Sequence, residues 1–327
     1  MLENEILLIG LGKNRYKINE ILETDNINLV REKYGEDSCF YKAFRIMKRF
    51  GREKAYILNL DTWEDIKDQE EILNDLNFDY ICPLDLYLDD EYYDDFYNKN
   101  LYYSQLILLL LRKTISTMIV TGPHASGFET LDAYLNEELT TINRIQVRAS
   151  NLKRENLIYV SNNLNNWDYA NVVLACVMVN TDYAEYPSNS LLGSAYFDID
   201  YSDIPAAGRL VYFKNNILTG TTIENLVNFS DDQILRLVPV YKIIKYFYFH
   251  RANFEQYIGK TYTDYRKLKI EETLEEWLTE LDNWIIYKHQ INSVTTVQTQ
   301  LGTVDIILKY DIWPKFTTEV YKMETTL

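Results

Sequence analysis

Thr121–Gly127 (TGPHASG) is the segment closest in form to a chemical motif. It follows an apolar run, Thr117–Val120, and precedes a helical pattern, Phe128–Arg148. Anions bind the free amides of a helix N-terminus at such turns. A phosphate loop also needs Lys then Ser or Thr after its last glycine. Phe128 and Glu129 stand there instead, so the segment reads as a strand-to-helix turn with Ser126 near the N-cap. Gly10 and Gly12 follow a strand-like run and invite a dinucleotide reading, but the third glycine of that fingerprint is replaced by Arg15. The acids Asp85, Asp89, Asp90, Glu91, Asp94 and Asp95 lack the glycine and glutamate spacing of an EF-hand. Interleaved with Tyr92, Tyr93 and Tyr97, they read as a solvated or partner-facing surface. His124, His250 and His289 form no HxH or HxxxH pair, and no GxSxG elbow is present. The residue types therefore predict no catalytic residue, no cofactor-binding residue, no metal ligand and no enzyme activity.

Composition narrows the class. The 327 residues suggest about two domains at roughly 150 residues each. The chain is 47% hydrophobic and 25% charged, which suits a folded globular protein. A formal net charge of −16 repels DNA phosphate and anionic lipid, so neither nucleic acid nor membrane is an expected partner. Cys39, Cys82 and Cys176 are scattered and odd in number, and read as buried thiols of a reducing compartment. The acidic start, MLENEILLIG, is unlike a secretory signal. The longest aliphatic run, Leu106–Leu111, is far short of the about 20 residues a bilayer requires. The 28 tyrosines fit either an AT-rich genome or a contact surface, because Tyr combines apolar area with a polar tip. The one basic cluster, Lys260, Arg266, Lys267 and Lys269, is either a solvated turn beside a helix or a docking spot for an acidic partner.

Periodicity then supplies the elements. Strands are expected at Ile6–Gly10, Ala55–Leu60, Phe78–Leu84, Thr117–Val120 and Leu157–Val160. Helices are expected at Asp25–Tyr34, Cys39–Phe50, Asp61 or Thr62 to Leu76, Leu101–Lys113 and Phe128–Arg148. Strands alternating with helices argue for βαβ units and a central sheet with helices on both faces. The second half carries an apolar helix, Trp167–Val179, a hairpin over Arg209–Ile223, and long helices at Leu235–Ile258 and Glu271–Tyr287. The second long helix groups Leu274, Trp277, Leu278, Leu281, Trp284 and Ile285 on one face. Ser293–Thr326 alternates as three strands, the last at Thr317–Met323, and a terminal strand can close its own sheet or pair with another molecule.

The order of these segments resembles the tail sheath proteins of contractile phage tails and related contractile bacteriocins. ILLIGLG, NINLVREKYG, CFYKAFRIMKRFG and AYILNL resemble the family's opening strand, its two glycine-ended helices and its next strand. LNFDYICPL looks like the strand that follows, and VVLACVMVNTDYAEYPSNSLLG like the apolar helix with its "TD" turn and proline–asparagine loop. IPAAGRLVYFKNNILTGTTI is similar to the family's hairpin, PVYKIIKYFYFHRANFEQYIGK and 271–287 to its paired helices, and VDIILKYDIW and FTTEVYKM to its C-terminal arm.

The resemblance implies an α/β fold, α+β in the C-terminal half: a sheath-type core of 1–160 and 161–292, with a β arm at 293–327. It implies a structural virion protein in rings, sixfold in this family, around a tail tube, assembled in the host cytoplasm. Implied partners are copies of the chain, the tube protein and neighbouring tail, baseplate or neck proteins. Ile306, Leu308, Ile312, Phe316, Val320 and Tyr321 would belong to the inter-subunit arm, and Lys260, Arg266, Lys267 and Lys269 would face the tube. Sheath proteins usually carry an extension before the first core strand. The five residues here reach at most about 17 Å, so linkage is expected through the C-terminal strands alone. Removing 310–327 is then expected to abolish assembly and leave the monomer folded. Two alternatives stay open: a neck, terminator or tail-end ring of the same fold, and a cytoplasmic α/β nucleotide-binding enzyme with a pocket near Gly10–Lys13 and Thr121–Gly127.

Overall fold

The computed structural model describes residues 5–12, 14–69, 73, 78–85, 117–121, 157–160, 169–182, 185, 210–216, 220–224, 226–228, 230, 232–233, 235–249, 254, 256–258, 263–298 and 304–326. The chain divides into two compact units, Met1–Thr181 with Pro187–Asp231, and Asp182–Tyr186 with Asp232–Leu327. The expected helices at Leu101–Lys113 and Phe128–Arg148 lie outside the described residues.

The first unit is built on an eight-stranded sheet. Its strands are β1 (Ile6–Leu11), β2 (Ile21–Thr24), β3 (Ala55–Leu60), β4 (Tyr80–Pro83), β5 (Met118–Thr121), β6 (Leu157–Val160), β7 (Leu210–Asn216) and β8 (Gly220–Glu224), in the order β2-β3-β1-β4-β5-β6-β7-β8. Neighbours from β3 to β7 pair in parallel, while β2 and β8 close the two edges antiparallel. Parallel strands covered on both faces read as unbroken apolar runs. Every residue of β3, β4 and β5 is buried, and β1 is buried up to Gly10. β7 joins β6 in register, Tyr159 opposite Leu210 and Val160 opposite Val211. The hairpin, which the sequence groups with the paired long helices, therefore belongs to this sheet.

Helices α1 (Ile27–Tyr34), α2 (Cys39–Arg49) and α3 (Ala170–Asn180) accompany the sheet. Asn26 caps α1 by accepting from the amides of Asn28 and Leu29, and Ser38 caps α2 by accepting from Tyr41. Gly35 and Gly51, at φ 95° and 73°, end these helices in the left-handed region that glycine enters without strain. α2 buries Phe40, Ala43, Phe44 and Met47 against β1 and β3. α3 is apolar all round and buried from Ala170 to Val179, packing on β4, β5, β6 and α2. The expected helix after Thr62 is a 3-10 helix at Trp63–Asp68 with a helical residue at Leu73; 70–72 and 74–77 lie outside the described residues. β2 was not legible: it follows a polar turn in which Lys17 and Asn19 take positive φ.

The second unit packs α4 (Val238–Phe249) and α5 (Asp264–Leu281) on an antiparallel sheet, β11-β10-β9, made of β9 (Ile286–Gln298), β10 (Val304–Pro314) and β11 (Tyr321–Thr326). One core joins them. Val240, Ile243, Ile244 and Phe247 of α4 meet Ile270, Leu274, Trp277, Leu278 and Leu281 of α5, over Val294, Leu308, Tyr310, Ile312 and Met323 of the sheet. Each such Leu, Ile or Phe contributes about 1.5–3 kcal/mol by leaving water.

Both helix ends differ from the sequence reading. α5 starts seven residues earlier, because Thr263 accepts from the Arg266 amide and Asp264 sits in the first turn. It stops at Leu281 rather than Tyr287. Asn283 turns left-handed at φ 66° and donates to the Ile286 carbonyl at 2.7 Å, which sends the chain straight into β9. Trp284 and Ile285 thus lie in the turn, not on the helix face.

Candidate assembly surface

Gly10 and Gly12, which invite a dinucleotide reading, stand against packed side chains. A Cβ on Gly10 would stand 3.1 Å from Cys39 Sγ and 3.2 Å from the Phe40 ring, and one on Gly12 would stand 2.7 Å from Asn59 Oδ1. Close approach of α2 and Asn59 explains both glycines. Thr121 is buried at the end of β5, and 122–127 lie outside the described residues. Asp85 accepts from the Tyr169 hydroxyl at 2.9 Å, while 86–95 lie outside the described residues. Cys39, Cys82 and Cys176 are free and buried; burial pushes the thiols of Cys39 and Cys176 up to about 12 and that of Cys82 well above its usual range. Such thiols are poor nucleophiles. Among the described residues no cluster of His, Cys, Asp and Glu could hold a metal ion, and no helix is long and apolar enough to cross a membrane.

The C-terminal sheet gathers the residues expected in the arm. Ile306, Leu308 and Ile312 lie on β10, the central strand, with their side chains in the core of the second unit. Tyr321 opens β11 opposite Ile312, and Phe316 and Val320 lie in the turn between these strands, with Phe316 and Tyr321 packed against the same core. A cut at residue 310 would remove Tyr310 and Ile312, both buried, and would test folding rather than assembly. Removing β11 alone leaves Tyr310 and Ile312 in place and takes Met323 and the partly buried Tyr321 from that core. Its register with β10 runs from Ile307–Thr326 to Ile312–Tyr321, and β9 pairs with the other side of β10. Among the described residues the outer flanks of β9 and β11 carry no further strand. A free flank presents a row of backbone donors and acceptors to an incoming strand. Among the exposed large apolar side chains, Tyr287 and Val297 lie on β9, and Trp284 lies in the turn before it.

Arg266, Lys267 and Lys269 lie on α5 rather than in a turn before it. Lys267 approaches Glu271 at 3.8 Å, Lys269 bonds Glu272, and Lys269 sits over the Tyr265 ring. Lys260 lies outside the described residues. Tyr265 and Leu268 are exposed on the same helix turn. The rest of the helix is acidic, and Glu271, Glu272, Glu275 and Glu276 line a groove beside Ile291 of β9. Exposed i,i+3 and i,i+4 pairs are worth only a few tenths of a kcal/mol, so these lysines can exchange partners.

His289 gave no signal in the sequence, yet both of its ring nitrogens meet carboxylates. Its side chain is 10% exposed. Nδ1 lies 3.0 Å from both carboxylate oxygens of Asp282, and Nε2 lies 3.3 Å from Glu275 Oε1. Burial pulls its pKa down, but hydrogen bonds from the ring to Asp282 and Glu275 and the charges of both carboxylates outweigh this and raise it above 6.5. The partners stand seven and fourteen residues away, a spacing that a helix, a turn and a strand bring together and no local motif announces.

No family model and no curated protein matches the chain. Solved structures do. The helical sheath of the anti-feeding prophage in its contracted state is 11% identical with a TM-score of 0.68, covering 98% of this chain and 92% of that one. A chain of the anti-feeding prophage baseplate, 6-fold symmetrised, is 10% identical with a TM-score of 0.67, covering 96% and 90%. The sheath tail protein from Desulfitobacterium hafniense is 10% identical with a TM-score of 0.66, covering 99% and 96%. The architecture, a mixed α/β sheet followed by helices on an antiparallel C-terminal sheet, is the fold of contractile sheath proteins.

Proposed function

We propose that this chain is a structural subunit of a contractile tail, assembling with copies of itself as sixfold rings stacked around a tail tube. The observation that supports this best is the likeness over 98% of the chain to a helical sheath in its contracted state. In this reading the work of contraction is stored in the lattice of subunits, and no bond-breaking chemistry is required of any residue.

The C-terminal sheet is the link between subunits. β11 leaves its place on β10, or the free flanks of β9 and β11 accept a neighbour's strand, so that backbone hydrogen bonds tie the rings together while subunits slide and tilt. Lys260, Arg266, Lys267 and Lys269 face the tube, where a cationic spot on a −16 chain steers toward an acidic surface. The other partners are the proteins at the two ends of the sheath, and the site of action is the tail of the virion. The similar baseplate chain favours a second reading, in which the subunit forms a ring at the end of the tail and does not contract.

Negative-stain microscopy of the purified chain, alone and with its tube subunit, tests the proposal. Tubes or stacked rings support a sheath; single rings that never stack support the tail-end reading. A chain that stays monomeric with the tube present contradicts both.

A further inference from the structure

A neutral imidazole has one N–H donor and one bare nitrogen, whereas the imidazolium has two donors. Both ring nitrogens of His289 face carboxylates: Nδ1 faces Asp282 and Nε2 faces Glu275. In either neutral tautomer the bare nitrogen would point its lone pair at a carboxylate oxygen. The charged ring alone satisfies both contacts.

The three groups come from a strand, a helix and that helix's C-cap. His289 is on β9 with Ile312 of β10 opposite it, Glu275 is on α5, and Asp282 is the C-cap residue of α5. The charges acting on the ring are those of Asp282 and Glu275. Glu271, Glu272 and Glu276 line the neighbouring groove, and the Lys288 ammonium sits 4.6 Å over the Trp313 ring. Asp311 accepts from the Asn292 amide, and α4 contributes the buried Lys242 and Lys245 to the unit.

We propose that His289 is a proton-operated clasp: the imidazolium fastens edge strand β9 to α5 through Glu275 and Asp282, and loss of its proton releases one carboxylate and loosens that edge. The proposal goes beyond the sheath reading and holds for a monomer. The direction of the pH effect follows from linkage. The folded-state pKa lies above 6.5, so the stabilisation is complete below about pH 6.5 and is lost as pH rises through the folded value. Raising the pH through the folded-state value therefore frees the β9 flank, and lowering it below that value holds the flank.

The test is a titration of the full chain with labelled histidine, following the ring carbon and proton shifts by NMR from about pH 5 to about pH 9. The signal absent from His289→Gln is assigned to His289. Its midpoint is expected above 6.5 and is expected to fall in Glu275→Gln, whose partner side chain is 59% exposed and removable without opening the core. In parallel, the urea midpoint of the wild type should decline as the pH rises through the His289 midpoint, and the decline should be smaller in His289→Gln. A His289 midpoint at or below 6.5, or identical pH profiles for wild type and variants, overturns the proposal. If His289→Gln fails to fold, the shift produced by Glu275→Gln both assigns the resonance and decides the case, since a clasp requires that shift.

Discussion

Asn59 is the penultimate residue of a fully buried strand, and its side chain organises the polar turn beside it. Oδ1 accepts from the Gly12 amide at 2.6 Å, and Nδ2 donates to the carbonyls of Asn14 and Tyr16 at 3.2 and 3.1 Å. One side chain thus serves three backbone groups that lie in no strand or helix. Truncation in Asn59→Ala leaves them without partners, at about 1–3 kcal/mol for each that water does not reach. A urea midpoint well below wild type is expected; an unchanged midpoint would show that the turn is held some other way. Asn171 does the same at the ends of β4 and β5, donating to the carbonyls of Pro83 and Val120. In the second unit Leu308 is fully buried on the central strand, so Leu308→Ala should cost about 2–5 kcal/mol, read by chemical unfolding. A loss under about 1 kcal/mol would mean that the sheet does not form the core described.

Among elements, β11 is where the proposed link between subunits can be tested apart from most of the core. Its side chains alternate between the core and solvent, with Met323 and Thr325 buried and Lys322 and Glu324 exposed. Residues 304–314 keep their ladder to β9 without it. Deleting 319–327 is expected to leave a monomer that unfolds cooperatively at a somewhat lower urea midpoint, while higher-order assembly disappears. A truncated chain that still forms rings would place the link elsewhere. The elements themselves were unevenly legible. The parallel strands announce themselves, because burial on both faces leaves runs such as ILLIG and AYILNL, and Leu157–Val160 begins and ends where periodicity places it. β2 was hidden because Ile21–Thr24 is an edge strand with one buried flank, preceded by a turn whose positive φ values fall on Lys17 and Asn19 rather than on glycine. The end of α5 was misread for a related reason: Trp284 and Ile285 continue the apolar spacing by chance, and the stop is one left-handed asparagine. The His289 clasp was illegible because it is a tertiary arrangement with no local spacing.

For the whole molecule, sequence identity near 10% coexists with a shared architecture over nearly the full length. A fold does not demand particular residues, because a core accepts any apolar set of suitable volume and patterning. Assembly follows a different rule. An interface between copies is set by edges, exposed aromatics and charge, the features least visible in a periodicity pattern and most visible here on α5 and the C-terminal sheet. The claim that the chain builds rings and tubes is tested most directly by negative-stain microscopy with light-scattering mass, on the purified wild type and on the 319–327 deletion, each with and without the tube subunit. The account predicts stacked rings or tubes for the wild type and monomers for the deletion. A wild type that remains monomeric with the tube present, or a deletion that assembles like the wild type, would contradict it.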